Sequence, residues 1–226
     1  MSDTKMNENY KSLALNKRVV LTGAFSALII VLAVTKLGFI SLGPTASITI
    51  LQIPVILIAM LCGLPEAIFV GAVFGIMSLI QAAMSPSGAL DPLFANPLCS
   101  VLPRILLGVV AWALWKLFSL FLPKAVNAAI TGFLATILHT IMVNGAFYTF
   151  TSSGVKEAMG GKGYFALLLV LAPNAALEAS ASVIFCTAVY VGLFIAGKKK
   201  SKLSEELEEI EEAEEIKEIE EIKDSE

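Results

Sequence analysis

The chain has 226 residues, 57% of them apolar and 15% charged, with a mean hydropathy of +0.81. A soluble domain carries about 45–50% apolar and about 25% charged residues. This composition therefore excludes an ordinary soluble domain and leaves a polytopic membrane protein, with its apolar residues in runs long enough to cross a bilayer. The formal charge of −3 averages two unlike parts: residues 203–226 hold thirteen acids and two lysines (net −11), and residues 1–202 hold fourteen bases and six acids (net +8).

In chain order, residues 1–17 form a polar tail that precedes an all-α membrane domain over 18–197. No cleavable leader is expected, because no small-residue cleavage pattern closes a short apolar region. Span one is predicted over about 18–35 and ends at Lys36, before a loop rich in turn residues (Gly38, Gly43, Pro44). Span two, about 48–64, is interrupted by Pro54, and span three, about 67–84, contains Gly71-x-x-x-Gly75. The Pro-rich stretch Leu90-Asp-Pro-Leu-Phe-Ala-Asn-Pro97 leads into span four, about 98–122, whose regular part Pro103 is expected to start. Span five covers about 125–148, followed by a polar, Gly-rich loop over 149–163 and an apolar segment over 164–172. Span six starts near Pro173 and stops at Gly197, before Lys198-Lys-Lys200. Residues 198–226 then form a basic stop and an acidic tail, predicted to be solvated and partly helical, with a partner-binding helix as the alternative. Six spans put both termini on one side, and nine lysines and arginines near span ends there outnumber three on the opposite side. The excess of cations marks the cytoplasm. Both ends are therefore expected inside, with the loops after spans one, three and five outside.

Candidate site residues are polar groups in apolar settings. Arg104, near the start of span four, is costly in lipid and is expected to face a protein interior or wet cavity. Its guanidinium suits a carboxylate, and snorkelling to the interface is the alternative. Asn174 and Glu178 are four residues apart and share a helix face. Glu178 is predicted to pair with Arg104 or to meet a ligand hydroxyl or amide. Asn144 and Tyr148 share the same spacing in span five, and His139 there is expected to make an interhelical hydrogen bond. Asp91 and Asn96 either cap helices or line the site, and Gln52 either reaches the cavity or satisfies backbone near Pro54. One histidine and three scattered cysteines (Cys62, Cys99, Cys186) offer no metal-ligand spacing, so neither metal nor cofactor is expected. The Gly160-Gly-Lys-Gly163 fragment lacks the spacing of a phosphate loop. Small residues at Gly23-x-x-x-Ala27, Gly71-x-x-x-Gly75 and Ala128-x-x-x-Gly132 permit close helix approach.

Together these pieces resemble the substrate-binding S subunits of energy-coupling-factor (ECF) vitamin transporters. The resemblance is carried by Leu42-Gly-Pro44, Ile53-Pro-Val-Ile56, Gly75-Ile-Met-Ser-Leu79, the stretch from Leu90 to Pro97, Val101-Leu-Pro-Arg-Ile-Leu106 and Pro173-Asn-Ala-Ala-Leu-Glu-Ala179, and covers about 17–197. It implies six spans, a vitamin site near the outer face, and docking onto a transmembrane coupling subunit that carries two ATPases. It also implies that span one docks through small residues four apart, here Gly23 and Ala27, where the family commonly has two alanines. Within the family the chain is most similar to pantothenate-type members, through Val-Leu-Pro-Arg-Ile and the Asn-x-x-x-Glu opening of span six. Pantothenate offers one carboxylate, hydroxyls and an amide, which suit Arg104, Asn174 and Glu178. A stand-alone secondary carrier or channel for a small organic anion would show inverted repeats or broken helices. A membrane enzyme would need a catalytic cluster. No convincing repeat is visible and the acids and the one histidine are scattered, so these two classes stay as the alternative readings; no nucleic-acid partner is expected.

Overall fold

The computed structural model describes residues 3–41, 47–86, 90–158, 160–161, 165, 167–169, 171–193 and 195–196. The acidic tail predicted over 203–226 lies outside the described residues. The chain divides into two compact units, Met1–Thr187 and Ala188–Glu226. The first holds the elements that build the site.

The chain is nearly all helical. Helix α1 runs Asp3–Val34, so the polar N-terminal segment is helical from Asp3 onward. A two-stranded antiparallel hairpin follows, β1 (Phe39–Ser41) and β2 (Ser47–Thr49), with Phe39 opposite Thr49 and Ser41 opposite Ser47. Then come α2 (Gln52–Leu61), α3 (Leu64–Met84), a 3-10 turn (Asp91–Ala95), α4 (Pro97–Phe118), α5 (Lys124–Phe150), the short α6 (Ser152–Ala158) and α7 (Leu171–Leu193). Among the described residues, five helices are long and apolar enough to cross a bilayer, counting α1 from Leu15.

The second predicted span is where expectation and structure part. Part of it is strand β2, and its helix has ten residues. At about 1.5 Å per residue, that is ~15 Å of a hydrocarbon core ~30 Å thick. A half-length helix survives here because it is enclosed by protein: every residue from Gln52 to Met60 is buried. Its backbone and apolar side chains therefore meet other helices on all sides. Pro54 does not interrupt α2. It falls in the first turn, where an N–H has no intrahelical acceptor in any case.

The start of α4 also differs from expectation. Asn96 caps the helix by accepting from Leu98 N at 3.0 Å, and Pro97 opens the first turn. Pro103 lies inside the helix. Its role there belongs to the site.

Glycines set how closely the helices approach. A Cβ on Gly71 would lie 2.5 Å from Arg104 O, and one on Gly75 would lie 2.6 Å from Val101 Cα. On the facing helix, a Cβ on Gly108 would lie 2.5 Å from Ala67 O. Helices α3 and α4 thus pack backbone against backbone. Gly132 holds α5 against α7, with a Cβ there 3.0 Å from Ser182 O. Gly23 differs from these: a Cβ there would meet nothing within 4 Å, and both Gly23 and Ala27 are exposed on α1.

Candidate functional site

The site begins with a proline. In a helix, the N–H of residue 103 would bond to the carbonyl of Cys99, four residues back. Pro103 has no N–H, so that carbonyl is left without its helical donor. Arg104 supplies the donor, with Nη1 2.7 Å from Cys99 O. The Pro-Arg pair therefore explains how the side chain is held: one residue frees the acceptor and the next occupies it. The guanidinium carbon sits 4.5 Å from the Phe94 ring centroid and 5.4 Å from that of Phe74, within cation–π range of both faces. Arg104 is 3% exposed, so it does not snorkel, and its Nε has no partner.

Around this group the helices enclose a cavity of about 120 Å³, far more than the ~10–15 Å³ that one water needs. Ser78 and Gln81 reach it from α3, three residues apart on one face. Leu90, Asp91 and Phe94 come from the 3-10 turn and the residue before it, and His139, Thr140, Val143, Asn144 and Phe147 from α5. Leu171, Asn174 and Glu178 come from α7, and Phe39 and Thr49 from the hairpin. The aromatic wall is braced: Phe94 and Phe147 stack at 4.6 Å between centroids, tilted by 57°. The Ser100 hydroxyl donates to Phe94 O and ties the 3-10 turn to α4.

Arg104 and Glu178 do not form an ion pair, one of the two expectations for Glu178. Among the described residues, the pair within 4 Å is Arg18 with Glu66, at 2.7 Å. Glu178 instead accepts from Thr49 N at 2.7 Å, which fastens the hairpin to α7. Both charges remain on the cavity wall. Arg18 and Glu66 lie at the opposite end of the bundle, because Glu66 opens α3 whereas Ser78 and Gln81 near its other end line the cavity.

Of the eight predicted binding residues, the structure brings Arg104, Asp91, Asn144, Asn174 and Glu178 to one cavity. Three lie outside its lining. Asn96 is the α4 cap. Tyr148 is 59% exposed: at about 100° per residue, four residues beyond Asn144 is a further ~40° of turn, off the buried face. Gln52 is fully buried and bonds to His139, with Nδ1 and Oε1 3.2 Å apart. His139 makes the expected interhelical bond and also lines the cavity. Phe39, Thr49, Ser78, Gln81, Thr140 and Phe147 went unanticipated. Polar residues three apart inside the apolar α3 run were a usable signal for Ser78 and Gln81.

Asn144 Nδ2 and Oδ1, Arg104 Nε and His139 Nε2 are all buried and without a protein partner. Buried polar groups are hydrogen-bonded in the great majority of cases. Four such atoms on three residues of one cavity, with apolar walls and a few convergent polar groups, make it the candidate binding site for a small polar molecule. The chain matches the family "ECF transporter, substrate-specific component" over residues 17–190, and it belongs to that family. It is 31% identical over 134 residues to "Pantothenate transporter PanT" of Leuconostoc mesenteroides subsp. mesenteroides, covering 56% of this chain and 66% of that protein. It is 24% identical over 158 residues to "Pantothenic acid transporter PanT" of Lactococcus lactis subsp. cremoris, covering 64% of this chain and 76% of that one. The chain thus spans about two thirds of the first relative's length.

Proposed function

We propose that this chain captures pantothenate on the outer side of a bacterial cytoplasmic membrane and delivers it through a coupling subunit driven by two separate ATPases. The observation that carries the reading is the set of unpartnered buried atoms around Arg104. Arg104 provides the one guanidinium of the cavity wall and matches a carboxylate. Asn144 presents an unpartnered donor and an unpartnered acceptor, which complement an amide. Asp91, Glu178 and Asn174 add acceptors for hydroxyls. The names of the two relatives support the same ligand. The cation bias supports a cytoplasmic location for both termini, and the cavity lies at the end of the bundle away from the Arg18–Glu66 pair. Residues Gly23 and Ala27, on the exposed face of α1, form the docking surface for the coupling subunit.

Calorimetry on the purified protein tests the ligand. Wild type is expected to bind pantothenate more tightly than its neutral amide analogue. Arg104→Gln is expected to lower the affinity for pantothenate about tenfold or more, the loss of a charge-assisted contact, and to abolish the preference for the acid. Equal binding of acid and amide by the wild type would sink the anion-clamp reading.

A further inference from the structure

Beneath the cavity lies a buried hydrogen-bond network that fixes how the Gln52 amide is turned. Thr136 Oγ1 is 2.9 Å from Gly132 O and 2.8 Å from Ser182 Oγ, and its hydroxyl donates on that side. Both hydroxyl oxygens keep lone pairs facing Gln52, and its Nε2 is 3.4 Å from each. The amide nitrogen is the donor on this side, where the Glu178 carboxylate is a further acceptor. Gln52 Oε1 is thereby turned toward His139, 3.2 Å from Nδ1. An amide oxygen has no proton to give, so Nδ1 carries the imidazole proton. In neutral imidazole the other nitrogen then bears a lone pair. His139 is buried and its Nε2 has no protein acceptor, so a charged ring would leave a buried N–H unpaired, and the neutral form fits.

The lone pair is on Nε2, which is buried and has no protein partner, on a residue that lines the cavity. We infer that His139 Nε2 is a hydrogen-bond acceptor for a ligand hydroxyl, and that Gln52 is the positioning residue that sets its tautomer. This rests on the reading of the cavity as a pantothenate site. Arg104 takes the carboxylate and Asn144, open at both ends, takes the amide; the pantoyl hydroxyls remain, and His139 Nε2 joins Asp91, Glu178 and Asn174 as an acceptor, for one of them. The consequence is specificity: a pocket nitrogen that can only accept rejects an analogue whose donor there is missing, because the lone pair is then buried unpaired.

His139 is the single histidine of the chain, so ¹⁵N-histidine labelling gives a one-site spectrum. In wild type in lipid nanodiscs, Nδ1 is expected in the protonated range and Nε2 in the lone-pair range, with Nε2 shifting when pantothenate is added. Gln52→Met is expected to lose the single tautomer. By calorimetry, His139→Phe is expected to bind pantothenate about tenfold more weakly than wild type. Toward one of the two analogues in which a pantoyl hydroxyl is replaced by hydrogen, the two proteins should be equal. If His139→Phe does not fold, the wild-type Nε2 resonance decides: it should move with pantothenate and stay with that analogue. A proton on Nε2 in wild type, or equal losses for pantothenate and both analogues, would overturn the inference while leaving the pantothenate reading intact. Failure of wild type to bind pantothenate would overturn both.

Discussion

Arg104 and Pro103 act as a pair. The proline removes a helical N–H, and the arginine donates to the carbonyl that is left. Restoring the N–H should therefore loosen the arginine without harming the helix. Pro103→Ala is expected to keep or raise thermal stability, since an interior proline is unfavourable. It should lower pantothenate affinity by roughly two- to tenfold, the range of one hydrogen bond. Thermal unfolding and calorimetry on the same preparation check both parts, and an affinity equal to wild type would show that the Cys99 carbonyl does not orient the guanidinium. Glu178 has a different task. Its bond to Thr49 N couples α7 to the hairpin, so it is a structural clasp as well as part of the wall.

Close helix contact, rather than side-chain interdigitation, fixes the α3–α4 interface. The two motifs of small residues that look alike in sequence fall in opposite environments. A methyl at Gly71 would drive into the Arg104 carbonyl, whereas one at Gly23 would meet open space. Gly71→Ala is expected to destabilise the protein by about 1–3 kcal/mol through overpacking and to weaken ligand binding by displacing the Arg104 backbone. Gly23→Ala should do neither. Ala27→Trp places bulk on the exposed face of α1, and Ala27 is absent from the cavity lining. It should therefore leave pantothenate affinity unchanged while reducing copurification with the coupling subunit and ATPases. Loss of ligand binding in Ala27→Trp would argue against a separate docking face.

At the scale of the whole molecule, a capture subunit binds but does not accumulate. Vesicles holding this chain alone are expected to bind pantothenate stoichiometrically and to show no uptake against a gradient, which should appear only with the coupling subunit, the ATPases and ATP. Uptake by the chain alone would favour a stand-alone carrier. Orientation can be read in the same vesicles. Ser85 follows α3 at the cavity end, and Ser119 follows α4 at the other. With native cysteines removed, a cysteine at Ser85 should react with an impermeant reagent from the outer side and one at Ser119 from the cytoplasmic side.

Composition and hydropathy alone determined that the chain lives in a bilayer and is built of helices, because ~20 consecutive apolar residues have few other uses. The interior role of Arg104 was equally legible, since a cation in an apolar run has so few stable places to go. The order of small motifs was enough to expose the family. Three things waited for the tertiary structure. The second span reads as crossing because its residues are mostly apolar; only packing shows that a ten-residue helix is wrapped on every side. Arg104 and Glu178 have opposite charges and matching depth, which in sequence makes a pair one of two readings. In the structure the Cys99 carbonyl and the Thr49 N–H hold them instead, main-chain groups without a sequence signature. Finally, Asn144 and Tyr148 share a spacing that suggests a shared face, yet the drift of 3.6 residues per turn carries one into the cavity and the other out. Periodicity constrains which residues are neighbours along one helix. Which of them meet across the bundle is set by how closely the glycines let α3, α4, α5 and α7 approach.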